Sequence, residues 1–184
     1  MFLQHGDRNA AARQQQADGI CSFELEPVGA SELPVFSAGA HIDVQVAPGV
    51  IRQYSLCNHP EERHRYLIGV LKDPASRGGS LRLHEQIHNG THLCISEPRN
   101  LFPLVHGARR SLLFAGGIGI TPILCMAERL AQGGADFELH YCARSSARAA
   151  FVQRLKDSPF AERVFLHFDE QPHTALDAAK VLAT

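Results

Sequence analysis

A glycine turn is the first place in this sequence where residue types and spacing could support chemistry. Three glycines interrupt the apolar stretch at residues 112–124: Gly116, Gly117 and Gly119. Glycine permits positive φ and leaves no Cβ to keep a ligand from the backbone, and Pro122 suits the first turn of a helix. A strand, turn and helix start would aim free N–H groups and a positive dipole end at one point, which suits a pyrophosphate. A plain tight turn would use the same glycines, so this stretch alone leaves both interpretations open.

A second set of residues could hold a flat ring and its phosphate. Arg52 and Tyr54 alternate along a predicted strand, which places a cation beside an aromatic plane on one face. About twenty residues later, the Arg-Gly-Gly-Ser sequence at 77–80 resembles a second anion cradle at a helix start. Taken separately, Tyr54 could be a half-buried wall of a barrel and residues 77–80 a serine-capped loop. The ordered combination of these motifs with the glycine turn favours the functional interpretation.

Composition narrows the class of protein. The chain has 184 residues, 45% hydrophobic and 20% charged, with a formal net charge of −1. This balance gives no electrostatic case for binding nucleic acid or an anionic membrane. No apolar run approaches the ~20 residues of a membrane span, and residues 1–17 lack the apolar core of a signal peptide. A cytoplasmic location is therefore expected.

Cysteine and histidine spacing predicts no metal centre. The cysteines are scattered and odd in number: Cys21, Cys57, Cys94, Cys125 and Cys142. They form no C-x-x-C pair and no iron–sulfur cradle, and the last three are predicted to be buried small hydrophobes. Histidines recur at four-residue spacing at 84, 88 and 92, but an Asn-Gly turn at 89–90 interrupts that face. No metal ligand is therefore assigned.

The elements that must position these motifs follow two different rhythms. Residues 1–18 show no useful periodicity and are interpreted as a frayed lead-in. The first half then predicts short strands joined by Gly/Pro turns, at 20–25, 41–46, 50–58, 66–71 and 91–96, with a helix at 80–87 that Ser80 could cap. This pattern indicates a small antiparallel barrel over about the first 105 residues.

The second half alternates strands at 112–115, 137–142 and 164–168 with helices at 122–132 and 146–156. Such alternation favours a parallel sheet with right-handed crossovers. The chain is accordingly divided into a barrel domain at 1–107 and an α/β domain at 108–184.

At this point the motifs resemble a known family. They are Arg-Gln-Tyr-Ser-Leu at 52–56, Arg-Gly-Gly-Ser at 77–80, Pro-Arg-Asn-x-Phe-Pro-Leu at 98–104 and Ala-Gly-Gly-Ile-Gly-Ile-Thr-Pro-Ile at 115–123. Together they resemble the phthalate dioxygenase reductase family of the ferredoxin–NADP reductase superfamily. That family includes the reductase components of vanillate O-demethylases and other Rieske oxygenases.

The resemblance implies a fold and an activity. The fold would be an antiparallel Greek-key flavin-binding barrel followed by a Rossmann-like parallel-sheet nucleotide-binding domain. The activity would be that of an NADH-dependent flavin oxidoreductase, which passes hydride from NADH to FMN and electrons to a Rieske oxygenase partner. Two alternatives stay open: a catalytically silent flavin-binding fragment or interaction module, and an FAD-dependent flavin reductase that uses NADPH.

The resemblance also implies roles for individual residues. The flavin would be held at Arg52, Tyr54, Ser55, Val70, Lys72, Gly78, Gly79 and Ser80. The pyridine nucleotide would be received at Gly116, Gly117, Gly119, Thr121, Pro122 and Arg144. No side chain is assigned as a catalytic acid or base, because the flavin carries the chemistry.

The sequence departs from the family pattern in its last part. The family continues after the strand at 164–168 with a Cys-Gly-Pro strand and a domain holding a 2Fe–2S cluster, and this chain reaches Thr184 with neither. The nucleotide domain is therefore expected to be truncated, without a cluster in this chain. Residues 112–115 would then keep an unpaired sheet edge, which predicts self-association through that edge. The first barrel strand is expected to be short or replaced by residues 1–16.

Overall fold

The first half of the chain forms a closed antiparallel sheet. The computed structural model describes residues 7–29, 32–75, 78–105 and 107–183. Six strands, in the order β4-β3-β6-β1-β2-β5, are β1 Asp7–Ala17, β2 Ile20–Pro27, β3 His41–Ala47, β4 Val50–Ser55, β5 Tyr66–Leu71 and β6 Thr91–Ile95. A bridge between Leu56 and Ile68 joins the two outer strands, so the sheet closes into a barrel. Helix α1, Gly79–Gln86, lies between β5 and β6.

Alternation along β3 fills the interior of this barrel. Ile42, Val44 and Val46 are buried, as their spacing predicts, and full burial of such a side chain stabilises the fold by about 1.5–3 kcal/mol. Asp43 has the opposite orientation, and its carboxylate accepts a hydrogen bond from Arg99 Nη2 at 2.6 Å. The barrel core thus follows the period-two pattern of the sequence.

The interpretation of residues 1–18 as a frayed lead-in, with a first barrel strand short or replaced, is wrong for the described residues. β1 spans Asp7–Ala17 and pairs with both β2 and β6. Its register shifts between Ala10 and Ala12 and again between Gln15 and Ala17, and such bulges disrupt an alternating pattern. The strand is stabilised by backbone ladders on two sides, which a hydrophobic pattern does not reveal.

The second half forms a three-stranded parallel sheet, as predicted. The strands, in the order β7-β8-β9, are β7 Ser111–Gly116, β8 Phe137–Ala143 and β9 Val164–Phe168. The helices are α2 Ile120–Gln132, α3 Val152–Lys156 and α4 Ala178–Leu182. We call β7–β9 with α2 and α3 the parallel lobe. The predicted fold class, an antiparallel barrel followed by a parallel sheet, is confirmed, while the division at residue 107 stays a prediction.

Within the described residues, β7 pairs only with β8, so it is an outer strand of its sheet. The predicted self-association through this edge stays a prediction. In the same part of the chain, no helix combines the length and apolar character of a membrane span. The cytoplasmic location likewise stays a prediction.

The predicted helix at 146–156 is wrong in its first half. The chain makes a 3₁₀ turn at Ser146–Arg148 and begins α3 only at Val152. Phe151 between them has φ 61°, the left-handed region that a bulky residue rarely adopts. Its ring is buried against the barrel, so tertiary packing overrides helix continuity here.

Burial of the cysteines is also only partly as predicted. Cys125 is fully buried in α2, but Cys94 and Cys142 are half-buried on their strands. Cys57, just after β4, belongs to the same apolar cluster as Cys125. Because that cluster also contains Ile20 and Ala38, the core of the parallel lobe extends to a few residues of the barrel half, while the barrel interior forms a second cluster.

Candidate functional site

The arginine strand and the glycine-serine motif meet at one point of the barrel. A Cβ built on Gly79, the first residue of α1, would lie 2.7 Å from both Cγ and Nε of Arg52 on β4. Glycine therefore lets the start of α1 lie directly against the arginine side chain. Gly78 supplies the left-handed entry to the helix, with φ 82°. Arg77 lies outside the described residues.

The start of α1 carries no side-chain cap. Ser80 was predicted to cap it, but Gly78 is the N-cap, and Ser80 is the second residue of the helix. The Ser80 Oγ instead accepts a hydrogen bond from the backbone N–H of Asp73 at 3.2 Å. The first N–H groups of α1 thus lie beside a guanidinium without a competing side-chain cap, an arrangement suited to an anion. We call Arg52 with Gly78, Gly79 and Ser80 the phosphate cradle.

Tyr54 shares the half-buried face of β4 with Arg52. Burial raises the pKa of Tyr54 to about 12, and the neighbouring Arg52 charge lowers it by a smaller amount. The phenol is therefore neutral at physiological pH, and its ring offers a flat surface. Ser55, half-buried, is the last residue of β4 and pairs with His41.

The end of β5 is fixed to both α1 and the β1–β2 turn. The His84 Nε2 atom on α1 lies 2.9 Å from the Val70 carbonyl oxygen. The Lys72 N–H donates to the Gly19 carbonyl at 2.7 Å, and its ammonium lies 3.1 Å from Glu85 Oε1. Val70 is buried and Lys72 is exposed, so the strand end presents backbone and an ammonium group. His84 was considered only as a metal ligand, so its positioning role was missed.

The glycine turn is open rather than tightly packed. Of its three glycines only Gly117, with φ 50°, has a left-handed backbone; Gly116 and Gly119 have φ −122° and −61°. A Cβ built on any of the three would meet no atom of the described residues outside its immediate neighbours within 4 Å. Packing therefore requires none of these glycines. Open space in front of a turn that leads into a helix start without a side-chain cap is what a bound pyrophosphate would need.

Two further predicted residues lie on the buried side of this turn. Thr121, in the first turn of α2, is buried, and its Oγ1 donates to the Ile118 carbonyl at 3.1 Å. Pro122 is half-buried and is the third residue of α2, which begins at Ile120 directly after a 3₁₀ turn at Gly117–Gly119.

A cleft of about 720 Å³ brings the glycine turn and the end of β5 together. Gly117 and Ile118 line it from the parallel lobe, and Lys72 and Asp73 line it from the barrel. Arg144, which follows β8, also lines this cleft, and its contact with a nucleotide stays a prediction. The phosphate cradle does not line the cleft, but the Asp73–Ser80 hydrogen bond connects the two.

Sequence interpretation missed two charged residues of this cleft, Asp18 and Arg148. Asp18 lies in the β1–β2 turn, and its backbone N–H donates to the Ala147 carbonyl at 2.8 Å. The Asp-Gly pair at 18–19 was a hairpin signal that could have placed this turn, since Gly19 has φ 71°.

Known proteins resemble this chain both in sequence and in structure. The chain is 72% identical over 177 residues to a vanillate O-demethylase oxidoreductase of Pseudomonas putida, covering 96% of this chain and 56% of that protein. A vanillate O-demethylase oxidoreductase of Pseudomonas sp. strain HR199 is 57% identical over 174 residues, which is 94% of this chain and 55% of the relative. No protein-family model matches the sequence.

The solved structure of a phthalate dioxygenase reductase superimposes with a TM-score of 0.91 at 39% identity. The match covers 97% of this chain and 56% of that structure. The chain thus spans about half the length of the relatives it matches. Given this similarity over nearly all of its residues, the chain belongs to the phthalate dioxygenase reductase and vanillate O-demethylase reductase family of the ferredoxin–NADP reductase superfamily.

Proposed function

We propose that this chain is the electron-entry part of an NADH-dependent flavin oxidoreductase that serves a Rieske-type oxygenase or O-demethylase. One observation carries the proposal: the cleft joins the open glycine turn to the end of the barrel strand beside the phosphate cradle. Relatives named as oxidoreductases support the reaction class, and their oxygenase systems support an oxygenase as the partner.

The residues of the barrel fit a flavin mononucleotide. Arg52 and the α1 start at 78–80 would hold its phosphate, because a guanidinium lies beside the first turn of a helix that has no side-chain cap. Tyr54 and Ser55 would contact the ring, together with the strand end from Val70 to Lys72. When bound, the flavin would supply the hydride-accepting and single-electron chemistry.

The residues of the parallel lobe fit a nicotinamide dinucleotide. The turn at Gly116, Gly117 and Gly119, leading to Thr121 and Pro122, would receive the pyrophosphate by its backbone N–H groups. Arg144 would contact the ribose or adenine end. The roles of these chain residues are binding and orientation, and burial of Thr121 keeps the base of the turn rigid.

The proposal is tested by loading purified protein with FMN and mixing it anaerobically with NADH in a stopped-flow instrument. Loss of flavin absorbance with saturating dependence on NADH is the expected result. A protein that binds FMN but is not reduced by NADH would be a silent flavin-binding module, the alternative from another class. Mass spectrometry of the flavin released from protein purified without added flavin distinguishes FMN from FAD.

NADPH is a second candidate hydride donor, favoured by one observation. Arg144 and Arg148 both line the cleft, and an arginine at this end of a dinucleotide site can accommodate a 2′-phosphate. The same stopped-flow experiment with NADPH compares the two donors. A lower apparent dissociation constant for NADPH would make it the preferred donor.

A further inference from the structure

Strand β5 makes an unusually close contact with the parallel lobe at Gly69. A Cβ built there would lie 2.7 Å from Thr121 Cγ2 and 3.1 and 3.2 Å from two ring carbons of Phe151. Separations under 3.0 Å are essentially never found, so any side chain at this position would displace its neighbours. Gly69 does not have a left-handed backbone, and glycine is therefore required here for space rather than for conformation.

The opposite side of this contact is held firmly. Phe151 is buried and adopts φ 61°, a conformation that a bulky residue keeps only when its surroundings determine it. The preceding residue is fixed as well, because the Ala150 N–H donates to the buried Tyr141 hydroxyl at 2.9 Å. Thr121 is fixed through its hydroxyl, which donates to the Ile118 carbonyl. Neither Thr121 nor Phe151 can move without disturbing the glycine turn or α3.

The position of Gly69 in the chain gives this contact its consequence. Gly69 immediately precedes Val70, which lies at the strand end proposed to contact the flavin ring. Thr121 lies two residues after Gly119, which belongs to the turn proposed to receive the nucleotide. The contact thus joins the two proposed binding elements directly. Hydride transfer needs reacting atoms about 3–3.5 Å apart, and a displacement of about 1 Å can slow a reaction by roughly 100-fold.

We propose that Gly69, Thr121 and Phe151 are positioning residues that set the distance between the flavin ring and the nicotinamide. The inference rests on the proposed function, since it concerns the same cleft. The absence of a side chain at Gly69 lets β5 approach the glycine turn, and the buried ring of Phe151 packs against the same position.

A graded substitution at Gly69 tests the proposal. Gly69→Ala and Gly69→Val push the parallel lobe away by increasing amounts, and valine also suits a strand. The rate of flavin reduction at saturating NADH is expected to fall about fivefold for alanine and at least fiftyfold for valine, on the scale of about 100-fold per ångström. The dissociation constant for FMN, measured by fluorescence titration, is expected to stay within twofold of the wild-type value.

Rescue distinguishes positioning from general damage. Thr121→Ser removes the Cγ2 methyl that a new Cβ would strike, while it keeps the hydroxyl that donates to Ile118. Gly69→Ala combined with Thr121→Ser is expected to reduce flavin within twofold of the rate of Thr121→Ser alone. A second readout is the long-wavelength absorbance band that appears when NAD⁺ lies over chemically reduced flavin, which Gly69→Val should weaken.

The outcomes distinguish a failure of the positioning inference from a failure of the proposed function. If NADH fails to reduce the wild-type flavin, the proposed function is wrong, and the positioning roles are wrong with it. If the wild type is reduced and Gly69→Val keeps its rate and its absorbance band, the positioning inference alone is overturned. Failure of Thr121→Ser to restore Gly69→Ala would overturn the role assigned to Thr121, because the methyl contact would then not set the distance.

Discussion

The two glycine motifs of this molecule require glycine for different reasons. In the phosphate cradle, a Cβ on Gly79 would lie 2.7 Å from Arg52, so a side chain there would displace the arginine. In the glycine turn, a Cβ on Gly116 or Gly119 would meet nothing within 4 Å in the described structure, and neither has a left-handed backbone. Glycines that neither packing nor conformation requires point to a ligand that occupies the space.

The phosphate cradle and the glycine turn would also hold a phosphate in two different ways. The cradle combines a guanidinium with the N–H groups at the start of α1, so part of its proposed affinity for phosphate would come from one side-chain charge. The turn presents backbone N–H groups and the positive end of α2. Removal of the Arg52 charge should therefore weaken ligand binding at the cradle most. Addition of side-chain atoms should weaken ligand binding at the glycine turn.

The largest effect is expected from Arg52→Ala. A hydrogen bond to a charged group contributes about 1.5–3 kcal/mol, so FMN affinity should fall roughly tenfold to a hundredfold. Fluorescence titration with FMN measures it, and Arg109→Ala, which removes an exposed arginine before β7, is the matched control. Unchanged FMN affinity in the Arg52 variant would show that the cradle does not rely on this charge.

The next effect is expected from Gly117→Val in the turn. A branched side chain strains a left-handed residue and enters the space proposed for the pyrophosphate, so NADH affinity should fall about tenfold or more. FMN affinity should stay the same. Gly134→Val is the matched control, because Gly134 has φ 65° and equally open surroundings but lies at the end of α2. Equal loss of NADH affinity in both variants would assign the effect to backbone strain.

Much of this architecture could be predicted from local sequence patterns. Period-two alternation placed β3, and the change to alternating strands and helices placed the parallel lobe. Arg52 and the α1 start, which are predicted to hold one phosphate, lie side by side, and their role stays a prediction. The strands follow from patterns among residues close in sequence, and Arg52 and Gly79 belong to two motifs that are each recognisable in the sequence.

The remaining features depend on contacts distant in sequence. The sequence does not reveal β1 because its pairing with β2 and β6 is made by backbone ladders, which leave no mark in a hydrophobic pattern. The break at Phe151 was missed because its ring packs on Gly69, eighty-two positions earlier in the chain. The contribution of Asp18 to the cleft depends on where the β1–β2 turn meets the parallel lobe. No single-sequence pattern carries this information.

A smaller effect, but the sharpest test of the comparison, is expected from Gly119→Ala. Gly119 has φ −61°, which alanine adopts easily, and its surroundings are open, so the stability of the protein should be unchanged or rise by about 0.4–1 kcal/mol. NADH affinity should nevertheless fall about fivefold, which corresponds to about 1 kcal/mol. Urea unfolding and NADH titration measure the two quantities. If alanine raises stability and leaves NADH affinity intact, no ligand approaches this part of the turn.

The smallest effect concerns His84, the titratable residue of α1 that contacts the end of β5. Burial lowers the pKa of His84 from its usual value, and the Val70 carbonyl, which opposes this shift, accepts its Nε2–H. Arg13 and Lys72 also lower this pKa, while Glu85 raises it. A depressed pKa means that the contribution of His84 to stability is complete above about pH 6.5 and is lost as the pH falls below that value.

The free energy of unfolding should therefore decrease below about pH 6.5, with a slope from His84 of at most about 1.4 kcal/mol per pH unit. His84→Gln keeps a donor for Val70 but cannot titrate, so urea unfolding at a series of pH values should show a flatter dependence in this variant. His88→Gln, at an exposed histidine just beyond α1, is the control and should keep the wild-type slope. If His84→Gln and His88→Gln have the same slope, protonation at the end of β5 does not control the stability of the cradle.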